Sequence, residues 1–415
     1  MIEGKIIKFY REKARLTQGE LCHGVCSVTH ISKIERGITE YSPEITALLA
    51  KKLNISLEDE IIRYHQSSQK LHQWLESIIM QRENDPRALK EELEKESLID
   101  MPEFQVLFQL LSARHYLFEH KLEPAFAIVQ TLQKHEAEMS PQDQNTLKHI
   151  LGIYYFLKGQ YRDCIDCLTS INPEQYSNEE YYYHLAIAYH SIHSNITAYY
   201  YGKKALAYFQ RTLNILRIID TEMLLIVQLN AKELHDFAET KAKYEQLIKL
   251  SESLHSKDRI GKIYHNLGFE CYRRKMYKQS ADYYQKAIDL MGDASPHYLT
   301  SLDGYIMTCS SGKLYSEAAL IPLAEKGLKH AKTSNSHTWI DFQLHIYQLT
   351  NQEEKYYQFL EDKVIPHLKQ IGYVILIDHY ERKLFKYYFE KGEKEKALEL
   401  ASTYISSKKS FYSYE

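Results

Sequence analysis

A chain of 415 residues is long enough for two or three ordinary domains or for one extended repeat array. Gly (15) and Pro (9) fall well below average usage, so turns and strand connections are scarce and an all-α fold is predicted. Lys and Arg (52) nearly balance Asp and Glu (55), and the formal charge of −3 excludes a global field for clamping a polyanion, so any nucleic-acid contact must be local. The hydrophobic share of 44% and the charged share of 26% also exclude wholesale disorder. The most apolar long stretch, residues 215–229, is broken by Arg217, Asp220 and Glu222, and the N-terminus lacks a signal-peptide core; no membrane partner and a cytoplasmic location are expected. Six Cys without a dense framework are expected as reduced thiols.

Helical periodicity starts at once, with Ile2, Ile6, Ile7 and Tyr10 on one face. Thr17 can cap a short helix from Gln18, with Glu20 at the capping-box position and Gly24 as its stop. Ser27 can cap the next helix, through Glu35, with Val28, Ile31 and Ile34 predicted inward and Gly37 ending it. After Ser42-Pro43, the stripe Ile45, Leu48, Leu49, Leu53 and Ile55 closes a small core.

This segment, Leu16-Thr17-Gln18, Leu21, then Ser27, Ile31-Ser32, Ile34-Glu35 and Gly37, resembles the helix-turn-helix domain of the Xre/Cro family of repressors over about 64 residues. The resemblance implies that the second helix enters a major groove, which assigns Val28, Thr29, His30, Ser32 and Lys33 to the reading surface, with Thr29, His30 and Lys33 as base readers. Gln18 and Ser27 are the expected phosphate or base anchors, and Arg36 a further phosphate contact. Residues 1–40 carry seven Lys or Arg against five acids, a modest excess, so a homodimer or higher homo-oligomer reading two half-sites of double-stranded DNA is expected.

Residues 65–101 read as linker helices, with Leu71, Trp74, Leu75 and Ile78 at helical spacing, Gln66, Gln69, Gln73 and Gln81 along them, and a second helix opening at Asp85-Pro86. Residues 102–415 repeat a two-helix pattern, clearest at His265–Leu290, where Leu267, Gly268, Tyr277, Ser280, Tyr284 and Ala287 follow the tetratricopeptide signature. Small second-helix residues place repeats at Ala125, Cys164, Ala198, Thr240, Ser280, Ala318, Gln358 and Ala397. Twelve residues earlier stand Ala113, Gly152, Ala186, Gln228, Gly268, Ile306, Ile346 and Phe385, so the motif decays toward the C-terminus. Cys164-x-x-Cys167 lacks a second Cys pair and His190/His193 lack an H-E-x-x-H setting, so neither is taken as a metal site; no cofactor or enzyme motif is found.

A helix-turn-helix, a linker and a degenerate tetratricopeptide array together resemble the peptide-sensing RRNPP regulators, in length and order most closely the NprR and PlcR branches. The resemblance implies a quorum-sensing transcription regulator whose array binds a short signalling oligopeptide. It also implies that the Asn of an N-hydrophobic-G motif clamps the peptide backbone, and Asn266-Leu267-Gly268 matches that motif. Side-chain pockets are expected from His149, Tyr183, His190, Lys262, His265, Phe269, Tyr272, Asp303 and Gln343, with Arg114 and Lys262 for an acidic group. The alternative, implied by Rap- and NprR-like relatives, is a response-regulator phosphatase or sequestering protein that uses a Gln of the linker helices to position water.

Overall fold

A computed structural model describes residues 2–402 apart from 39–41, 83–84, 232–235, 294, 335, 337 and 372–373, and every regular element among them is helical. The chain divides into two compact units, Met1–Ile150 and Leu151–Glu415.

The first unit opens with α1 (Ile2–Lys13), α2 (Gln18–Cys22), α3 (Val28–Glu35), α4 (Pro43–Lys52) and α5 (Leu57–Ile79). Ile7, Leu21, Cys22, Ile31, Ile34 and Leu49 form the core of the small domain. The adjacent Ile6 enters a different core, with Leu71, Trp74 and Ile78 of α5, Leu93 of α6 (Asp85–Glu94), and Phe104 and Leu111 of α7 (Pro102–Phe118). Neighbouring side chains on α1 therefore serve two cores, and the boundary expected after residue 64 falls inside the 23-residue α5. Tyr10 donates to Glu60 at 2.8 Å and Lys5 pairs with Glu103 at 3.0 Å, which fixes α1 further against α5 and α7. α8 (Leu122–Gln133) completes the first helical pair, and α9 (Pro141–Leu157) follows.

Helical pairs continue as α10 (Tyr161–Thr169), α11 (Tyr181–Ser191), α12 (Asn195–Arg211), α13 (Ile215–Ala231), α14 (Phe237–Ser253), α15 (Lys257–Arg273), α16 (Tyr277–Met291), α17 (Pro296–Ser311), α18 (Glu317–Thr333), α19 (Trp339–Leu349) and α20 (Glu353–Phe359). A single π turn leads into α21 (Ile365–Ile371), then come α22 (Val374–Lys391) and α23 (394–402). Ala125, Cys164, Ala198, Thr240, Ser280 and Ala397 all sit at the fourth residue of their helices and are buried, as the repeat phase requires. Two markers are corrected: Ala318 and Gln358 are exposed. The fourth positions of α18 and α20 are Leu320 and Tyr356, both buried, so a search for small residues slipped by two.

Where the residues are small, the helices close tightly. Tyr284 is buried between two glycines: a Cβ on Gly268 of α15 would lie 2.9 Å from its ring and one on Gly304 of α17 2.4 Å away. Ser280 donates to the Gly268 carbonyl at 2.7 Å, which satisfies its buried hydroxyl.

Candidate functional site

The segment from α2 to α3 is built from three local devices. Thr17 and Glu20 form the expected capping box, with the Thr17 amide 2.7 Å from the Glu20 carboxylate. Gly24, at φ +72°, turns the chain after α2, and Lys52 of α4 donates to the carbonyls of Leu21 (3.2 Å) and His23, holding the end of α2. Ser27 then caps α3 by accepting from the His30 amide at 3.2 Å.

With Ile31 and Ile34 anchored inside, α3 presents Ser27, Val28, Thr29 and Lys33 to solvent, while Ser32 is half-buried. Val28, read as inward, is about half exposed because it occupies the first helical position, a turn away from the buried stripe. His30 departs from the expected outward pose: its ring is half-buried and its Nε2 is enclosed without a hydrogen-bond partner. Arg36 folds back, its Nε 3.2 Å from the Ser32 carbonyl. Gln18 also differs from expectation, since its amide donates to Glu35 at 2.8 Å.

That carboxylate is the hub that sequence reasoning missed. Glu35 is buried and takes a bidentate grip from Arg11 at 2.6 and 2.9 Å, while Arg11 also donates to the Leu16 carbonyl at 2.8 Å. Two of the seven local cations, Lys5 and Arg11, are therefore matched by acids, which thins the charge available to phosphate.

In the second unit the first helices of successive repeats are tied by polar side chains. Arg217 of α13 lies over the Tyr183 ring of α11, 4.6 Å from its centroid, and pairs with buried Glu180 at 3.3 Å. Asp220 reaches Arg259 of α15 at 2.8 Å. His265 of α15 shares a hydrogen bond with Ser301 of α17 at 3.1 Å, and Asp303 of α17 meets His345 of α19 at 2.7 Å. His190 of α11 contacts Gln228 of α13 at 2.9 Å.

Tyr183, His265 and Asp341 are half-buried and strongly desolvated. Burial pushes the Tyr183 hydroxyl up to about 12 and His265 down to about 4. His297 falls to about 4 through burial and the nearby Lys262. Burial, then the neighbouring Asp303 charge, raises Asp341 to about 8. Desolvation works against the His345 cation, but the Asp303 hydrogen bond and both carboxylates raise its pKa on balance.

The expected peptide contacts divide. Tyr183, His190, His265 and Asp303 belong to this polar row. Lys262 is held by Asp258 at 2.7 Å, Tyr272 meets Ser311 at 3.3 Å, Phe269 is exposed and Gln343 is half-buried on α19. Asn266 is half-buried on α15, and the buried Tyr244 hydroxyl of α14 has no hydrogen-bond partner among the described residues. Arg114 on α7 and His149 on α9 lie in the first unit and are both buried, which departs from an open groove position. Arg217, Asp220, Arg259, His297, Asp341 and His345 were not anticipated as site residues. Their signal was present: charges interrupting the apolar run of α13, and Asp341/His345 one turn apart.

Residues 7–59 match the helix-turn-helix family model. Over 409 residues the chain is 23% identical to the transcriptional activator NprA of Geobacillus stearothermophilus, covering 92% of this chain and 97% of that protein. The chain joins a helix-turn-helix match to an array of paired helices. The fold is similar to the structure of NprR in complex with its cognate peptide NprX, at TM-score 0.68 and 21% identity over 82% of this chain and 99% of that one. A Rap protein complexed with competence and sporulation factor matches at TM-score 0.66 and 16% identity, over 83% and 98% of the respective chains. Among the described residues no helix is long and apolar enough to cross a membrane.

Proposed function

We propose that this RRNPP-type protein is a quorum-sensing transcription regulator that reads DNA with α3 and is controlled by a short oligopeptide held along the first helices of its second unit. The observation that carries the reading is the pairing, within one chain, of a capped and outward-facing α3 with a row of desolvated polar side chains from Tyr183 to His345. These side chains pair with one another, and an extended peptide offers further donors and acceptors along its length. NprX bound to NprR supports the ligand class. The protein acts as a homodimer or higher homo-oligomer, because two copies of α3 compensate for the thin local charge.

Peptide occupancy changes DNA binding only by the difference in its affinity for the two states, about 1–3 kcal/mol in typical coupled systems. The decisive experiment is calorimetry with the C-terminal peptide of a short secretion-signal-bearing reading frame beside the gene, followed by DNA binding with and without it. Asn266→Ala should weaken the peptide by about 5- to 150-fold if the amide clamps the backbone. An unchanged affinity removes Asn266 as the clamp.

A second reading is favoured by Gln66, Gln69 and Gln73, which lie exposed at i, i+3 and i+7 on α5. That row suits a response-regulator surface. Faster loss of phosphate from a phosphorylated response regulator on adding the full chain supports it, and an unchanged half-life removes it.

A further inference from the structure

We propose that Cys22 and Cys26 are a modification site for low-molecular-weight disulfides, closing into a disulfide across the turn of the helix-turn-helix and thereby weakening DNA binding. The link to DNA rests on the reading above; the disulfide itself does not.

Cys22 is the last residue of α2 and is buried, whereas Cys26 is half-buried on the turn. Gly24 reverses the chain between them, so that the Cys26 amide donates to the Cys22 carbonyl at 3.0 Å and the Val25 amide to the same oxygen at 2.9 Å. Cys22 lies in one apolar core with Leu21, Ile31 and Ile34, and Cys26 packs against that same core. A second thiol close behind a more accessible one suits disulfide exchange, since it can resolve the mixed disulfide.

The steps balance. The Cys26 thiolate attacks one sulfur of a small disulfide, whose other half leaves as a thiolate. The Cys22 thiolate then attacks the Cys26 sulfur of the mixed disulfide and expels the second half. Two cysteines are oxidised, one small disulfide is reduced to two thiols, and the two protons pass from the cysteines to the leaving groups. Burial and the neighbouring Cys22 raise the Cys26 pKa, so thiolate is scarce at neutral pH and the first step accelerates as pH rises.

Ring closure bears directly on α3. Cys22 must give up its thiol contact to the Gly19 carbonyl at 3.5 Å, and Cys26 must move toward the core. Ser27, the next residue, caps α3, so the start of the reading helix, with Val28 and Thr29, is displaced.

The test uses the full-length protein, oxidised glutathione and a duplex selected from a random pool by the reduced protein. Trypsin releases Leu16–Lys33, which holds Cys22 and Cys26 and no other cysteine. The expected result is a Leu16–Lys33 peptide lighter by two hydrogens, a loss of duplex affinity of about tenfold, and full recovery with dithiothreitol. Cys26→Ser should bind the duplex as the reduced protein does and ignore glutathione. A Leu16–Lys33 peptide unchanged in mass, or carrying only glutathione, overturns the disulfide. A disulfide with unchanged duplex affinity overturns the coupling. If the reduced protein selects no duplex, the DNA-binding reading fails and the coupling with it, while the mass measurement still decides the disulfide.

Discussion

Arg11 and Lys33 are both cations of the reading domain, and the fold gives them opposite tasks. Arg11 is closed over Glu35 inside the domain, so Arg11→Ala strands a buried carboxylate and should cost about 3–5 kcal/mol in urea unfolding. Lys33 is exposed on α3, so Lys33→Ala should leave stability unchanged while lowering the slope of log affinity against log salt by about one. Thr29→Ala, beside it, should instead relax sequence preference, with a loss of about 1–3 kcal/mol for the selected duplex and little for random DNA. The pKa shifts of the polar row oppose one another. His265 titrates near 4 in the fold against about 6.5 when unfolded, so its contribution is complete above 6.5 and is lost as pH falls toward 4. Asp341 titrates near 8 against about 3.9, so its contribution is complete below 3.9 and is lost as pH rises toward 8. Thermal melts from pH 4 to 8 should accordingly show less acid loss in His265→Gln and less alkaline loss in Asp341→Asn.

At the scale of elements, the tight packing around Tyr284 sets a clear expectation. Gly304→Ala inserts a methyl where the Tyr284 ring already stands and should destabilise by about 1–3 kcal/mol in chemical denaturation, with Gly268→Ala milder because its clearance is larger. The caps at Thr17 and Ser27, the two-helix repeats and the all-helical class were legible because each rests on local chemistry, a hydroxyl before a helix or an apolar stripe at its period. The turns inside the repeats were not. Among the described residues, left-handed positions there are held by His120, His193, Lys275, Lys313 and Asn351, with glycine only at Gly159 and Gly392. Bonds such as Met276 N–H to the Cys271 carbonyl (2.9 Å) and Gln352 N–H to the Tyr347 carbonyl (2.8 Å) close these turns without a glycine to announce them. The groove wall was half legible for a related reason. Tyr183, His265 and Asp303 follow from repeat phase, whereas Arg217 shows in the sequence only as a charge in an apolar run, and its partners Glu180 and Tyr183 are seen only in the fold.

For the whole molecule, two compact units make a single unfolding transition unsafe to assume, and ligand effects should be assigned to the unit that binds. A peptide of the class proposed, at about 100 times its Kd, should add about 2.7 kcal/mol to the unit that holds it. Scanning calorimetry should then show one transition rising while the other stays; two equal shifts would mean that the units unfold together. The placement of Ile6 and Ile7 in different cores bears on any attempt to transplant the reading module. Excised after residue 64, the fragment would carry Ile6, Phe9 and Tyr10 as a naked greasy flank and should clump, so a graft that keeps its native neighbours must extend through Phe118.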